Sequence, residues 1–283
     1  MFKVVISSKY HNKTLCKYLE NLGISVQRRK QLLNTNTCYV NKVLVDGNTV
    51  LQENDLLELD LSIFEIQKYK PIQYNLTILY EDEYIIVVNK PSGFIVYDVE
   101  DEKESICNFL RYYYKQYKKN FEIIPVHRLD IDTSGCLIFA KDVVSASGLS
   151  RSFEKNEVTK KYVAKVSGIV ANEGCINKNI GRDRHVNNKM VVCERGKQAL
   201  TKYRLLETNK KVSLVEAIPV TGRTHQIRVH LSSIGNPIVG DKTYGSKIDC
   251  ERVMLHCQYI SFIHPIKEKA LTVYAPMPDG FEL

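Results

Sequence analysis

The sequence predicts an α+β protein in which a large domain, built on a mixed or antiparallel sheet with three or four helices, follows a small N-terminal unit. Three observations predict it. The chain has 283 residues, and at about 100–200 residues per domain this favours two domains. From residue 77 onward, short apolar or alternating runs between turn residues outnumber helical spacings. Before residue 64, two short helical patterns lead into strand-like alternation. A composition of 44% hydrophobic and 25% charged residues excludes a disordered chain and a coiled coil. No run reaches the roughly 18 apolar residues of a membrane span. The opening MFKVVISSKYHNK is interrupted too early for a signal peptide. The eight cysteines contain no Cys-x-x-Cys pair, and some, like Cys136 in GCLIFA, lie in apolar runs. They read as small core residues of a protein in a reducing, cytoplasmic compartment. Neither a metal nor a nucleotide cofactor is announced, because P-loop and GxGxxG motifs are both missing. The net charge of +8 suits a polyanionic partner.

In the first unit, residues 1–63, Leu15, Tyr18, Leu19 and Leu22 line one face of a helix that Gly23 ends. Ser25 is placed to cap a second helix, through about Leu33, carrying Arg28, Arg29 and Lys30. An extended run, Tyr39–Val45, an Asp46-Gly47 turn and the alternation Leu57, Leu59, Leu61 follow. Charge is segregated: residues 9–30 hold six Lys and Arg against Glu20 alone, while residues 46–60 hold five acids and no base. Basic helices beside an acidic hairpin suit phosphate binding by the helices. Residues 64–76, with Pro71 and few apolar pairs, read as a linker, and the large domain spans 77–283.

About seven strands are expected there: Ile85–Asn89, Gly135–Ala140, Tyr162–Val166, Thr201–Glu207, Val212–Pro219, Tyr259–Ile263 and Leu271–Tyr274. Ile106, Phe109, Leu110, Tyr113 and Tyr117 fall at helical spacing, with Tyr113 and Tyr117 on the core face. Arg111, Lys115, Lys118 and Lys119 interleave with tyrosines there, a weaker candidate for a nucleic-acid surface. A further helix is expected from Thr224 to Ser233, and the polar stretch Arg182–Lys197 reads equally as an RNA-facing or a solvated loop.

Two segments concentrate chemistry. Val126–Gly135 places His127, Arg128, Asp130 and Asp132 on a polar loop beside an apolar strand, a common position for catalytic groups, although Asp132, Thr133 and Ser134 also suit a simple structured turn. Thr221–Leu231 carries Arg223, His225, Arg228 and His230 with an inward stripe of Ile227, Leu231 and Ile234. Alone, it reads equally as an amphipathic helix with a solvated basic face.

Together, LYEDEYIIVVNKPSG (79–93), HRLDIDTSG (127–135), FEKNEVTKKYVAKVSG (153–168), PVTGRTHQIRVHLSSIGNPIVGD (219–241) and MLHCQYISFIHP (254–265) resemble the RluA/RluD-type RNA pseudouridine synthases. The resemblance covers about residues 77–275. Residues 1–63 resemble the RNA-binding domain first described in ribosomal protein S-four, although its usual glycines are replaced by Lys42 and Asn54. The resemblance implies isomerisation of uridine to pseudouridine in structured RNA, ribosomal RNA being favoured over transfer RNA. The reaction has no net redox change and requires no cofactor.

It also implies roles. Asp130 is the catalytic carboxylate. Arg228 is its partner: a guanidinium about 4 Å away is worth about 4 kcal/mol of Coulomb energy at an effective dielectric of about 20, before desolvation. Tyr162 stacks on the uracil and assists proton removal at C5. Arg128 fills the space left by the flipped nucleotide. His127, Arg223, His225, Arg28, Arg29 and Lys30 contribute to RNA binding, His127 more by bracing its loop than by moving a proton. Where the family usually has a His after the KPSG strand, this chain has Tyr97 and an acidic run, Asp98–Glu104. A monomer is expected. A non-catalytic RNA-binding or assembly factor is the rival reading; a carboxylate hydrolase is another, but would need Asp132 as second carboxylate.

Overall fold

A computed structural model describes residues 1–66, 68–118 and 121–283; Lys119, one of the basic residues singled out above, lies outside them, as does residue 67 of the expected linker. The first unit has strand β1 (Phe2–Val5), helices α1 (Leu15–Asn21) and α2 (Val26–Asn34), and strands β2 (Cys38–Val40), β3 (Val43–Leu44) and β4 (Leu56–Leu59). Its sheet runs β1-β4-β2-β3. Thr14 and Ser25 cap the two helices by accepting from Lys17 N and Arg28 N. Leu15, Tyr18, Leu19, Leu22, Leu57 and Leu59 are buried together. The run Tyr39–Val45 is not one extended strand. It folds back at Asn41 (φ 50°) and Lys42 (φ 69°), two successive left-handed residues that make a tight hairpin turn. Asn54 is left-handed too (φ 69°), so both positions that lack the usual glycine keep the conformation glycine favours.

The expected linker has no regular structure but is packed: Tyr69 and Leu76 are buried in the large core, and Tyr74 stacks on Phe109 at 4.4 Å. The large unit holds β5 (Ile78–Glu81), β6 (Ile85–Lys90), α3 (Ile106–Gln116), β7 (Ile124–Pro125), β8 (Ser134–Ala140), α4 (Val143–Glu154), β9 (Thr159–Ser167), β10 (Glu173–Asn177), β11 (Ile180–Arg182), β12 (Met190–Val192), β13 (Leu200–Thr208), β14 (Val212–Pro219), α5 (Gln226–Ser232), β15 (Leu255–Ile263) and β16 (Ala270–Tyr274). Every expected strand is present, but the strand count exceeds seven, and α4, which the spacing did not reveal, is capped by Asp142. Ten of these strands form one sheet, ordered β10-β13-β14-β9-β15-β8-β6-β5, with β16 on β15 and β7 on β8. The sheet is mixed, because β8 and β15 are parallel and the other pairs antiparallel. The β8–β15 crossing requires Gly135 (φ +111°), where a Cβ would overlap the Cys257 backbone. On α3 the core position belongs to Tyr114, fully buried, whereas Tyr117 is 61% exposed. No helix among the described residues is long and apolar enough to cross a membrane.

Candidate active site

Asp130 stands on the loop between β7 and β8, and the end of β6 grips that loop. The Lys90 ammonium, buried where β6 ends, donates to the carbonyls of Pro91, Ile131 and Thr133 at 2.8–2.9 Å. Ser92 Oγ donates to Asp132 O and Gly93 N to Ile131 O. KPSG and HRLDIDTSG, about forty positions apart, are thus two halves of one clasp. Burial pulls the Lys90 pKa down to about 7. His127 braces the loop from the other side: its Nε2 accepts from Ile138 N at 3.0 Å and its ring stacks on Phe153. Burial holds its pKa down at about 3, so it is neutral and acts as the brace expected of it, on the wall of the cleft.

Helix α5 supplies the facing wall. It begins at Gln226, not Thr224, because Gln226 Oε1 accepts from Thr221 Oγ1 and Arg223 N and folds the preceding residues into a turn. His225, just before the helix, is left-handed (φ 55°), a strained conformation often found at functional sites. Its Nε2 lies 4.0 Å from Asp130 Oδ1, and its Nδ1 pairs with Tyr244 OH at 2.8 Å. Burial lowers its pKa, partly offset by Asp130. It stands beside the carboxylate and lines the same cleft.

Arg228 Nη1 is 3.8 Å from Asp130 Oδ2, an ion pair without a hydrogen bond. Its closest partner is another carboxylate: Nε and Nη2 donate to Asp241 Oδ2 and Oδ1 at 2.7 and 2.9 Å. This bidentate pair fixes the guanidinium plane and leaves Nη1 for Asp130. Burial works most strongly against the Arg228 charge, but the Asp241 hydrogen bonds and the negative charges of Asp241 and Asp130 together outweigh it and raise its pKa. Arg228 is thus brought to Asp130 as expected, and Asp241 is a second carboxylate partner that the sequence did not single out. Asp241 ends the PIVGD stretch, but nothing in its local spacing marks it.

Tyr162, on β9, is 8% exposed and lines the same cleft as Asp130, Arg128, Arg223, His225 and Arg228, a cavity of about 460 Å³. Burial first, and then Cys257 beside it, hold its phenol well above the ordinary pKa, so it is neutral. Arg128 is exposed at the cleft mouth and forms no ion pair among the described residues. Arg223 is tethered through Nε to Gln198 O. Arg28, Arg29 and Lys30 are not brought here; they stay on α2, where Arg29 donates to Ile24 O. The segment Arg182–Lys197 contributes β12 and the loop before it, and Arg182, Asp183, Asn188 and Lys189 line a chamber next to Asp130.

The fold is similar to the solved human RNA pseudouridylate synthase domain containing 1: TM-score 0.62, 32% identity, 71% of this chain and 83% of that one. The fold class is therefore that of the pseudouridylate synthases. A sequence model described as RNA pseudouridylate synthase matches residues 84–233, and the chain belongs to that family. Among curated relatives, the uncharacterised RNA pseudouridine synthase YhcT of Bacillus subtilis is 36% identical, covering 84% of this chain and 81% of its own length. Ribosomal large subunit pseudouridine synthase D of Vibrio cholerae is 32% identical, with coverage of 84% and 78%. The protein is an isomerase that forms pseudouridine in RNA.

Proposed function

We propose that Asp130 is the carboxylate that carries the isomerisation, with Arg228 keeping it charged, Tyr162 under the uracil ring and Arg128 in the space the flipped nucleotide leaves. The observation that carries this reading is the single cleft in which a carboxylate 18% exposed faces a buried guanidinium at 3.8 Å and a neutral phenol. The N1–C1′ bond of the uridine breaks and the base turns and rejoins through C5, a sequence that needs an ionised carboxylate and a surface on which the ring can turn. A base stacked on an aromatic ring gains about 1–3 kcal/mol. Asp241 and His225 are positioning residues: the first aims Arg228 and the second stands beside Asp130. The hydrolase alternative is not favoured, because the carboxylate nearest this pair, Asp241, is bound bidentately to Arg228.

We read residues 1–63 as the RNA-binding unit, with Arg28, Arg29 and Lys30 toward phosphates, and 77–283 as the catalytic domain. The left-handed geometry kept at Lys42 and Asn54 supports the first assignment. The substrate is structured RNA, ribosomal in preference to transfer RNA, on the strength of the relatives named for the large ribosomal subunit. Cytoplasmic action suits the free cysteines.

Two measurements test the reading. Asp130→Asn should abolish pseudouridine formation in an unmodified large-subunit RNA transcript while RNA affinity changes less than threefold; a normal rate in that variant overturns the role of Asp130. Mapping pseudouridines in total RNA from cells lacking the gene should reveal the missing position, and its place in ribosomal or transfer RNA decides the substrate.

A further inference from the structure

Asp130 sits at a waist. On one side is the cleft that Tyr162 and Arg228 line. On the other a second chamber of about 640 Å³ opens, bounded by the segment after the KPSG turn and by the loop between β11 and β12. Arg128, Asp130, Thr224 and His225 border both, whereas Tyr162 and Arg228 border only the first. The second chamber is lined by apolar and by basic side chains. Tyr97 is 40% exposed and Ile131, the residue after Asp130, is 46% exposed; both line it, as does Met190 on β12. Arg182 and Lys189 line it too and form no ion pair among the described residues. The one acid beside them, Asp183, turns its Oδ1 to the backbone N–H groups of His185 and Val186 at 2.8 and 3.3 Å.

Nothing in the isomerisation of a single nucleotide uses this chamber. An aromatic face and an isoleucine with cations in the same lining make a slot for a flat, weakly polar ring joined to a phosphate, and its volume lies in the range of about 300–1,000 Å³ usual for small-ligand sites. We propose that it holds the base of the RNA nucleotide adjoining the target uridine, stacked on Tyr97, with a flanking phosphate at Arg182 and Lys189. The site is sequence-tolerant, because every base offers a ring face to an aromatic side chain. Engaging the neighbour stabilises the opened strand that a flipped uridine requires. This inference rests on the proposed catalytic role of the Asp130 cleft and adds a second base to it.

The test uses the full-length protein and a stem–loop RNA carrying the uridine that wild type modifies in an unmodified large-subunit transcript. Versions of that RNA have an abasic residue at either neighbouring position. One of the two should lower the kcat/KM of wild type by about tenfold, the size expected for one lost stack, mostly through KM. Tyr97→Phe should match wild type throughout. Tyr97→Ala should lose about tenfold on the intact RNA and nothing further on the sensitive abasic RNA. The subsite is overturned if wild type ignores both abasic residues, or if the Tyr97→Ala and abasic losses multiply, which would mean that the side chain acts on the loop and not on the base. In both results pseudouridine still forms and the catalytic reading stands. If wild type makes no pseudouridine in any transcript, the catalytic reading falls and the subsite with it.

Discussion

Asp241 shows how one side chain sets the chemistry of another. Arg228 is almost wholly buried, its side chain 6% exposed and that of Asp241 1%. Removing one member of a buried pair leaves the other charged and unmatched, at a cost of about 3–5 kcal/mol. Asp241→Ala should therefore lower the thermal midpoint markedly. Asp241→Asn keeps the volume and one acceptor; it should fold, yet release the guanidinium toward Asp130 and cut kcat more than KM. Equal activity of Asp241→Asn and wild type would show that the orientation of Arg228 is immaterial. His127 gives a pH prediction. An ordinary histidine titrates near 6.5, and this one is held down to about 3. Between those values the unfolded chain binds a proton that the folded chain refuses, so stability falls as pH drops from about 6.5 toward 3 and is unaffected above. His256, lowered to about 4 mainly by burial, acts with the same sign. His127→Gln removes one of these titrations, so its denaturation midpoint should fall less than that of wild type from pH 7 to pH 4. An equal fall in both would refute the assignment.

At the level of elements, the hairpin of β2 and β3 turns on a strained pair. Asn41 suits its place, since Nδ2 donates to Asp55 Oδ1 and Oδ1 accepts from Leu56 N. Lys42 is left-handed with no such compensation on its side chain. A left-handed L-residue costs roughly 1–2 kcal/mol, part of which glycine returns through its larger chain entropy in the unfolded state. Lys42→Gly should thus stabilise the N-terminal unit by about 1 kcal/mol, read as slower amide exchange in β2 and β4; faster exchange would contradict it. That turn also shows where the sequence is silent. Hairpin turns announce themselves through Asn-Gly or Asp-Gly, and Asn41-Lys42 carries only half the signal. Helix α4 was hidden for a related reason: VVSASGLSRSFE contains one glycine and four serines, poor helix formers, and its helicity comes from packing and the Asp142 cap. Strand β5, half-buried throughout, lacks the alternation that betrays β14. The site was more legible than its surroundings. Asp130, Tyr162 and Arg228 were legible from long motifs; Lys90 and Asp241 stand in such motifs too, but their roles depend on Ile131, Thr133 and Arg228, 13 to 43 positions away, a distance that no local periodicity reports.

Across the whole molecule, the two units are held together by contacts that leave little play. Val144 of α4 is buried in the core of the first unit. Arg151 Nη1 donates to the Glu20 and Asn21 carbonyls at the end of α1, both at 3.1 Å. Glu268, on the turn between β15 and β16, accepts from Lys9 Nζ and Tyr10 OH at 2.6 and 2.7 Å. Tyr84 OH donates to Lys3 O. Two glycines make room at this contact, Gly23 against α4 and Gly148 against the β15–β16 turn. A Cβ on Gly23 would lie 2.9 Å from Ser147 O, and one on Gly148 would lie 2.8 Å from Pro265 Cβ and 3.4 Å from Leu22 O. Gly148→Leu separates helix stability from docking. Leucine is a far better helix former than glycine, by most of 1 kcal/mol, so α4 itself should hold. Its side chain runs first into Pro265, on the β15–β16 turn that also carries Glu268, with Leu22 just beyond, so that turn and its contacts with the first unit must give way. Amide exchange should stay slow in α4 while it quickens across the contact, and a protease should cut within residues 64–76 sooner than in wild type. If the first unit serves as the RNA-binding unit proposed above, affinity for the transcript should fall by more than the single-turnover rate at saturating RNA. Unchanged exchange and cleavage in Gly148→Leu would mean that the contact tolerates a side chain and that the glycine is not what holds the units in register.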